Sequence, residues 1–249
     1  MTVTLLHGDC LDIMPTLEAA SVDAILTDLP YGTTACAWDE IIPFEPMWAQ
    51  VKRLLKPRGV FVTTASQPFT SKLVMSNPKW FKYCWVWDKK STADFLLSKV
   101  RPMKYHEDIC VFSDKGHTYN PQMKMGAINH SHGNSKNIHI SRFTNFSTTN
   151  PPDVLDGLKY PRSIIEIGKY PTTKENIHPT QKPVALYEYL IRTYTNEGDT
   201  VLDICAGSGT TGVAAIRTGR NAILIEKDAK YFEVMKGRVN EAIQIGMAI

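Results

Sequence analysis

The 249 residues predict an α/β fold built on a largely parallel sheet, and three observations carry that expectation. Short apolar runs bounded by turn residues recur along the chain. Segments with helical periodicity lie between them, as parallel crossover units require. A hydrophobic content of 43% is enough for one principal core, alone or with an inserted lobe.

The elements follow in order. Thr2–Leu6 and Asp23–Thr27 are apolar runs, the second delivering Asp28-Leu29-Pro30 to its carboxyl edge. Phe44–Leu55 carries the three-to-four spacing of a helix. Gly59–Thr64 follows the turn Lys56-Pro57-Arg58-Gly59 as a third strand, and Phe69–Met75 reads as a short helix. Tyr83–Trp87 and Asp108–Phe112 are the next two strands. Towards the end, helix Pro183–Tyr194, strand Thr200–Ile204, helix Thr210–Thr218, strand Ala222–Glu226 and helix Asp228–Ile243 complete a set of seven strands.

Ser113–Ile177 differs in kind, being rich in Asn, Ser, Thr, His, Pro and Gly with little periodicity. Its 65 residues exceed an ordinary loop. The expected principal domain is therefore 1–112 with 178–249, and 113–177 is either disordered or a functional insertion shaped in part by a partner.

No run of eighteen apolar residues exists, and the amino terminus lacks the basic-then-apolar pattern of a secretory signal. A cytoplasmic protein without membrane contact is expected. Five scattered cysteines (Cys10, Cys36, Cys84, Cys110, Cys205) contain no Cys-x-x-Cys pair, which fits neither a disulfide framework nor a zinc knuckle. His130, His132 and His139 lack acidic or thiol partners at ligand spacing, so no metal site is expected.

The net charge of +3 conceals a strong division. Residues 1–50 hold eight acids and no Lys or Arg. Residues 51–105 hold twelve bases against Asp88 and Asp94, a net +10, interleaved with Trp80, Phe81, Tyr83, Trp85 and Trp87. Such a block suits a polyanion-facing surface, and equally a solvated face over core aromatics.

Two clusters carry chemistry. Strand Thr200–Ile204 leads through Asp203 and Cys205 into Ala206-Gly207-Ser208-Gly209-Thr210-Thr211-Gly212 and a helix. Glycines there let the backbone turn sharply and approach a ligand at the carboxyl end of a strand. Glu226, twenty-three residues after Asp203, ends the next strand, where a carboxylate can accept both hydroxyls of a ribose. The spelling Gly-x-Gly-x-x-Gly also fits a dinucleotide, so an NAD-dependent oxidoreductase is weighed. Asp203 would repel a pyrophosphate, however, and attract the sulfonium and ammonium of S-adenosylmethionine.

The second cluster is Asp28-Leu29-Pro30-Tyr31. Pro30 fixes its own φ and biases Leu29 to an extended conformation. An aromatic amino group is a weak nucleophile because its lone pair is delocalised. Two acceptors, the Asp28 carboxylate and the Leu29 carbonyl, can bind its two hydrogens and turn the lone pair towards a sulfonium. The Tyr31 ring offers a stacking platform. The plain alternative is an ordinary Asp-x-Pro turn.

Taken together, these stretches resemble the amino-methyltransferases that act on adenine N6 or cytosine N4 in DNA, in the beta-class order with the tetrapeptide first and the glycine loop last. The family's Asp-Pro-Pro-Tyr is matched at Asp28, Pro30 and Tyr31, and Leu29 departs where the family uses a carbonyl. Gly8-Asp9-Cys10 and His178-Pro179-Thr180-Gln181-Lys182-Pro183 also resemble family elements. The resemblance implies a Rossmann-like methyltransferase fold, S-adenosylmethionine as cofactor and duplex DNA as partner, with 113–177 as target-recognition region. It implies Asp9 and Cys10 at the cofactor adenine, and Thr180 and Lys182 at the methionine carboxylate. Asp203, Cys205, Ala206, Gly207, Ser208, Gly209 and Glu226, with Asp28, complete the cofactor set.

A duplex substrate requires the target base to be flipped out. Lys89, Lys90, Lys99, Arg101 and Lys104 are the phosphate candidates. Adenine is preferred because the tetrapeptide begins with Asp, with cytosine N4, an RNA methyltransferase, the oxidoreductase and a non-enzymatic DNA-binding module as alternatives. The resemblance further admits a homodimer, a restriction endonuclease in the same system and association with the nucleoid.

Overall fold

A computed structural model describes residues 1–34, 36, 39–92, 94–126, 158–168 and 181–247. Strands and helices follow in the order β1 (Val3–His7), α1 (Cys10–Ile13), β2 (Val22–Asp28), α2 (Phe44–Leu54), β3 (Leu55–Ala65), α3 (Phe69–Ser76), β4 (Phe81–Asp88) and β5 (His106–Phe112). Then come β6 (Lys124–Met125), β7 (Leu158–Lys159), β8 (Ile164–Glu166), α4 (Val184–Tyr194), β9 (Thr200–Asp203), α5 (Thr210–Thr218), β10 (Asn221–Glu226) and α6 (Ala229–Met247).

The chain divides into two compact units. The first, Met1–Asn120 with Ser163–Ile249, holds an eight-stranded sheet in the order β1-β10-β9-β2-β3-β5-β4-β8. Seven strands run one way, and β5 is antiparallel to both β3 and β4. The expected count was seven. The additional strand is β8, three residues pairing Ile164, Ile165 and Glu166 with Val86, Trp87 and Asp88, too short to show a period in a polar stretch. The second unit, Pro121–Arg162, contributes the antiparallel pair β6 and β7, with Met125 opposite Leu158. Its boundaries fall inside the 113–177 drawn from composition.

Alternation along the strands builds a core on each face of the sheet. Ala24 and Leu26 of β2, Val201 of β9 and Leu224 of β10 face one apolar cluster, with Leu190, Ala215 and Met235 from α4, α5 and α6. Ile25, Leu202 and Ile225, one residue along, face the other cluster with Met47, Val51 and Leu73 from α2 and α3. The result is a three-layer α/β/α arrangement with strands buried on both sides, which explains their unbroken apolar runs. In α2 the buried residues Met47, Trp48, Val51 and Leu54 mark a single stripe.

Parallel strands bring their carboxyl ends to one edge, so Asp28, Asp203 and Glu226 gather there. Because β5 is reversed, its first residues, His106 and Glu107, reach that same edge. Among the described residues, no helix is long and apolar enough to cross a membrane.

Candidate active site

Asp28 closes β2 with both carboxylate oxygens engaged. Oδ1 accepts from the Tyr31 hydroxyl at 3.0 Å and from Thr64 Oγ1, while Oδ2 meets Lys182 Nζ at 2.7 Å. Thr64 is the register partner of Asp28 on β3. Leu29, the departure from the family tetrapeptide, has only 3% of its surface exposed and packs in the cluster with Met47 and Phe69. An apolar anchor there holds the turn where the family uses a second proline. The Tyr31 ring lies on Phe69, centroids 5.2 Å apart at 25°. Burial, then the charges of Asp28 and Glu107, push the Tyr31 phenol well above its ordinary value, so it stays protonated and donates to Asp28.

The loop after Tyr31 is organised by Asp39, a residue sequence reasoning missed. Its Oδ1 accepts from the amides of Tyr31 at 2.7 Å and Gly32 at 2.9 Å. Its Oδ2 accepts from those of Thr33 at 2.9 Å and Thr34 at 2.7 Å. Burial pushes this carboxyl up, but the donors outweigh it and hold it below its ordinary value. No sequence pattern marks such a residue, because its partners are backbone groups.

At the glycine loop, Gly207 and Gly209 adopt left-handed φ of +53° and +81°. Glu226 bridges the loop and the turn after β10, accepting from Gly207 N at 2.6 Å and Asp228 N at 2.7 Å. Asp203 is 3% exposed and turns inward, accepting from Cys205 N at 3.0 Å and from Thr211 Oγ1. Burial raises its carboxyl to about 6 against those donors. Ser208 Oγ lies 3.3 Å from Gln181 Oε1 and 2.8 Å from an Arg238 guanidinium nitrogen. Asp9 caps α1 through Leu11 N at 2.9 Å and pairs with Lys227 Nζ at 2.9 Å. Lys227 and then the Leu11 amide hold Asp9 below its usual range. Cys10 is buried, and its thiol and that of Cys205 line the cavity beside the glycine loop.

Lys182, expected at a methionine carboxylate, is ion-paired with Asp28 at 2.7 Å and Glu107 at 3.3 Å, its side chain 7% exposed. Burial pulls its ammonium down, but the two carboxylates outweigh that and raise it. Glu107 was legible only as a charge at the start of an apolar strand. Thr180 and the three histidines lie outside the described residues.

Most of these groups, though not Gly209, line one cavity of about 770 Å³, reaching from the tetrapeptide past Gly207 and Ser208 to Glu226, Asp228 and Tyr231. Its size suits a nucleoside cofactor. Eight acidic residues line it against Lys182 and Lys227, which fits a cationic sulfonium and ammonium and opposes a pyrophosphate. A family model described as DNA methylase, for N6 and N4 methyltransferases, matches residues 22–237. The chain belongs to the DNA methylase family. It is a DNA methyltransferase with S-adenosylmethionine as methyl donor, which sets aside the oxidoreductase and the non-enzymatic module.

This DNA methylase is 29% identical to the DNA adenine methyltransferase YhdJ of Escherichia coli K12, over 96% of this chain and 83% of that one. It is 27% identical to the Type II methyltransferase M.HpaI of Haemophilus parainfluenzae, over 96% and 75% of the two chains. A crystal structure of the M1.HpyAVI-SAM complex shares the fold, with TM-score 0.65 and 24% identity over 96% of this chain and all of that one.

In the basic block of the methylase the aromatics follow the second of the two expectations, and one lysine needs correction. Trp85 and Trp87 are 4% and 0% exposed and belong to the core, so the interleaved aromatics are packing residues. Lys89 is drawn inward onto Glu107 at 3.3 Å, its side chain 12% exposed, and is not placed to meet a phosphate. Lys90 pairs with Asp88 at 2.9 Å and Glu166 at 2.8 Å, and Arg101 with Asp94 at 3.1 Å, but about half of each side chain is exposed. Lys104 bonds Ser66 Oγ, and Lys99 is exposed.

Proposed function

We propose that the enzyme methylates adenine N6 within a specific sequence of duplex DNA, acting on a base flipped out of the helix. The carrying observation is that Asp28 and Tyr31 open on the same cavity as the glycine loop and Glu226. The leading Asp of the tetrapeptide and the adenine designation of the relative YhdJ support adenine over cytosine.

In this reading Asp28 and the Leu29 carbonyl accept the two hydrogens of the target amino group, which directs its lone pair away from the ring. Tyr31 stacks on the flipped base, a contact of about 1–3 kcal/mol that offsets part of the unstacking cost. S-adenosylmethionine supplies the methyl group, whose bond to sulfur breaks with its electron pair staying on sulfur as the nitrogen lone pair forms the new bond. The surplus proton on nitrogen then passes to Asp28 and on to solvent. Glu226 holds the ribose, Asp9 and Cys10 the adenine side, Ala206, Gly207, Ser208 and Gly209 the methionine portion, and Thr180 its carboxylate.

Lys90, Lys99, Arg101 and Lys104 meet phosphates, and 113–177 reads base edges. The Type II designation of M.HpaI supports a companion endonuclease, and DNA as substrate supports a cytoplasmic, nucleoid-bound enzyme. The exposed apolar residues Phe95, Leu96 and Val100 are where self-association into a dimer would form.

Transfer of tritiated methyl from S-adenosylmethionine to duplex DNA, followed by nucleoside analysis, tests this reading. N6-methyladenine is expected. N4-methylcytosine would reassign the base, and label only in RNA would overturn the substrate.

A further inference from the structure

Four side chains alternate in charge along the carboxyl edge of the sheet. Lys89 Nζ lies 3.3 Å from Glu107 Oε1, Glu107 Oε2 lies 3.3 Å from Lys182 Nζ, and Lys182 Nζ lies 2.7 Å from Asp28 Oδ2. The first three have side chains 12%, 11% and 7% exposed. In so dry a place each contact is stronger than at the surface, and removing one member leaves a neighbour uncompensated.

Glu107 lines the cavity, yet the transfer described above requires one carboxylate, that of Asp28. Its arrival depends on the fold, since only the reversed β5 brings the start of a strand to this edge. A buried lysine with Asp28 as sole partner would settle wholly on that carboxylate. It would then compete with the target amino group for Oδ2. A second carboxylate 3.3 Å away divides the attraction.

We propose that Glu107 is a positioning residue, which shares Lys182 with Asp28 so that Oδ2 stays anionic and keeps its second lone pair for the target amino group, while Lys89 fixes Glu107 from behind. The inference rests on the amino-methyltransferase reading. It assigns Lys182 to the orientation of Asp28.

The test compares wild type, Glu107→Gln, Glu107→Asp and Lys89→Met in three measurements: kcat on duplex DNA, S-adenosylmethionine affinity by calorimetry, and the ¹⁵N resonance of the Lys182 ammonium. For Glu107→Gln the expected result is a kcat lower by about 10- to 100-fold, with affinity within about threefold of wild type and a displaced ammonium resonance. Glu107→Asp should recover part of the rate. An unchanged kcat, an unmoved resonance, or a loss of affinity equal to the loss of rate would overturn the proposal. Should Glu107→Gln fail to fold, Lys89→Met decides: a rate lower by about threefold or more at unchanged affinity supports it, and an unchanged rate overturns it. If wild type methylates no DNA, the proposed function fails, while the ammonium resonance still reports whether Glu107 positions Lys182.

Discussion

Lys182 Nζ rests 2.7 Å from Asp28 Oδ2 across 154 residues of sequence. The contact joins the segment before α4 to the end of β2, so elements from opposite ends of the chain meet on one carboxylate. Tyr31 and Thr64 hold the other oxygen. The turn at Asp28 is thus fixed from three directions before any substrate arrives, which is the preorganisation that the proposed transfer needs.

Replacing Lys182 with Met should leave Asp28 and Glu107 facing one another without their shared cation. Breaking a buried pair in this way costs about 3–5 kcal/mol. Urea unfolding should show the midpoint displaced to lower urea accordingly. A variant as stable as wild type would mean that the ion pair is not maintained in solution.

Asp39→Asn should loosen the loop from Tyr31 to Thr34, because an amide offers one acceptor oxygen and no charge to the four amides now bonded. Hydrogen bonds to a charged group are worth roughly 1.5–3 kcal/mol each, and the loss should exceed one of them. The pH dependence has a definite sign. The carboxyl is held below its ordinary value, so its contribution is present above about pH 4 and is lost as pH falls through the lowered folded value. Thermal melts in acid should show wild type losing stability faster than Asp39→Asn. Parallel curves would contradict the assignment.

The legible parts of the chain were those where one local pattern has one physical meaning. Strand β2 reads from its short apolar run Ala24-Ile25-Leu26, apolar on both faces because both are buried, and the glycine loop reads because Gly207 and Gly209 need left-handed φ. Asp39 and Glu107 were hidden for the opposite reason, since their roles depend on groups brought near only by the fold. The aromatic residues of β4 left two readings open, and alternation along the strand decides between them by placing Trp85 and Trp87 on the core face whatever the charge of their neighbours.

Gly209→Ala combines two penalties. The residue sits at φ +81°, and a Cβ there would meet Met235 Cγ at 2.8 Å. Left-handed strain costs about 1–3 kcal/mol for a residue with a side chain. Calorimetry should show weaker S-adenosylmethionine binding together with a lower melting temperature. Adding Met235→Ala should relieve only the clash, so full recovery in the double variant would show that backbone strain is unimportant.

Binding to duplex DNA should weaken steeply with salt. Lys99→Ala should reduce the slope of log K against log salt by about 1, whereas Lys89→Ala should leave the slope unchanged because Lys89 is turned onto Glu107. Fluorescence anisotropy over a salt series measures both. A slope change for Lys89→Ala alone would reverse the assignment.

The most direct test of the central claim is methyl transfer by Asp28→Ala. With tritiated S-adenosylmethionine and duplex DNA in single turnover, the rate should fall by about 10³-fold or more, well beyond any loss of cofactor or DNA affinity. Transfer undiminished in Asp28→Ala would contradict a mechanism in which that carboxylate redirects the lone pair of the target nitrogen.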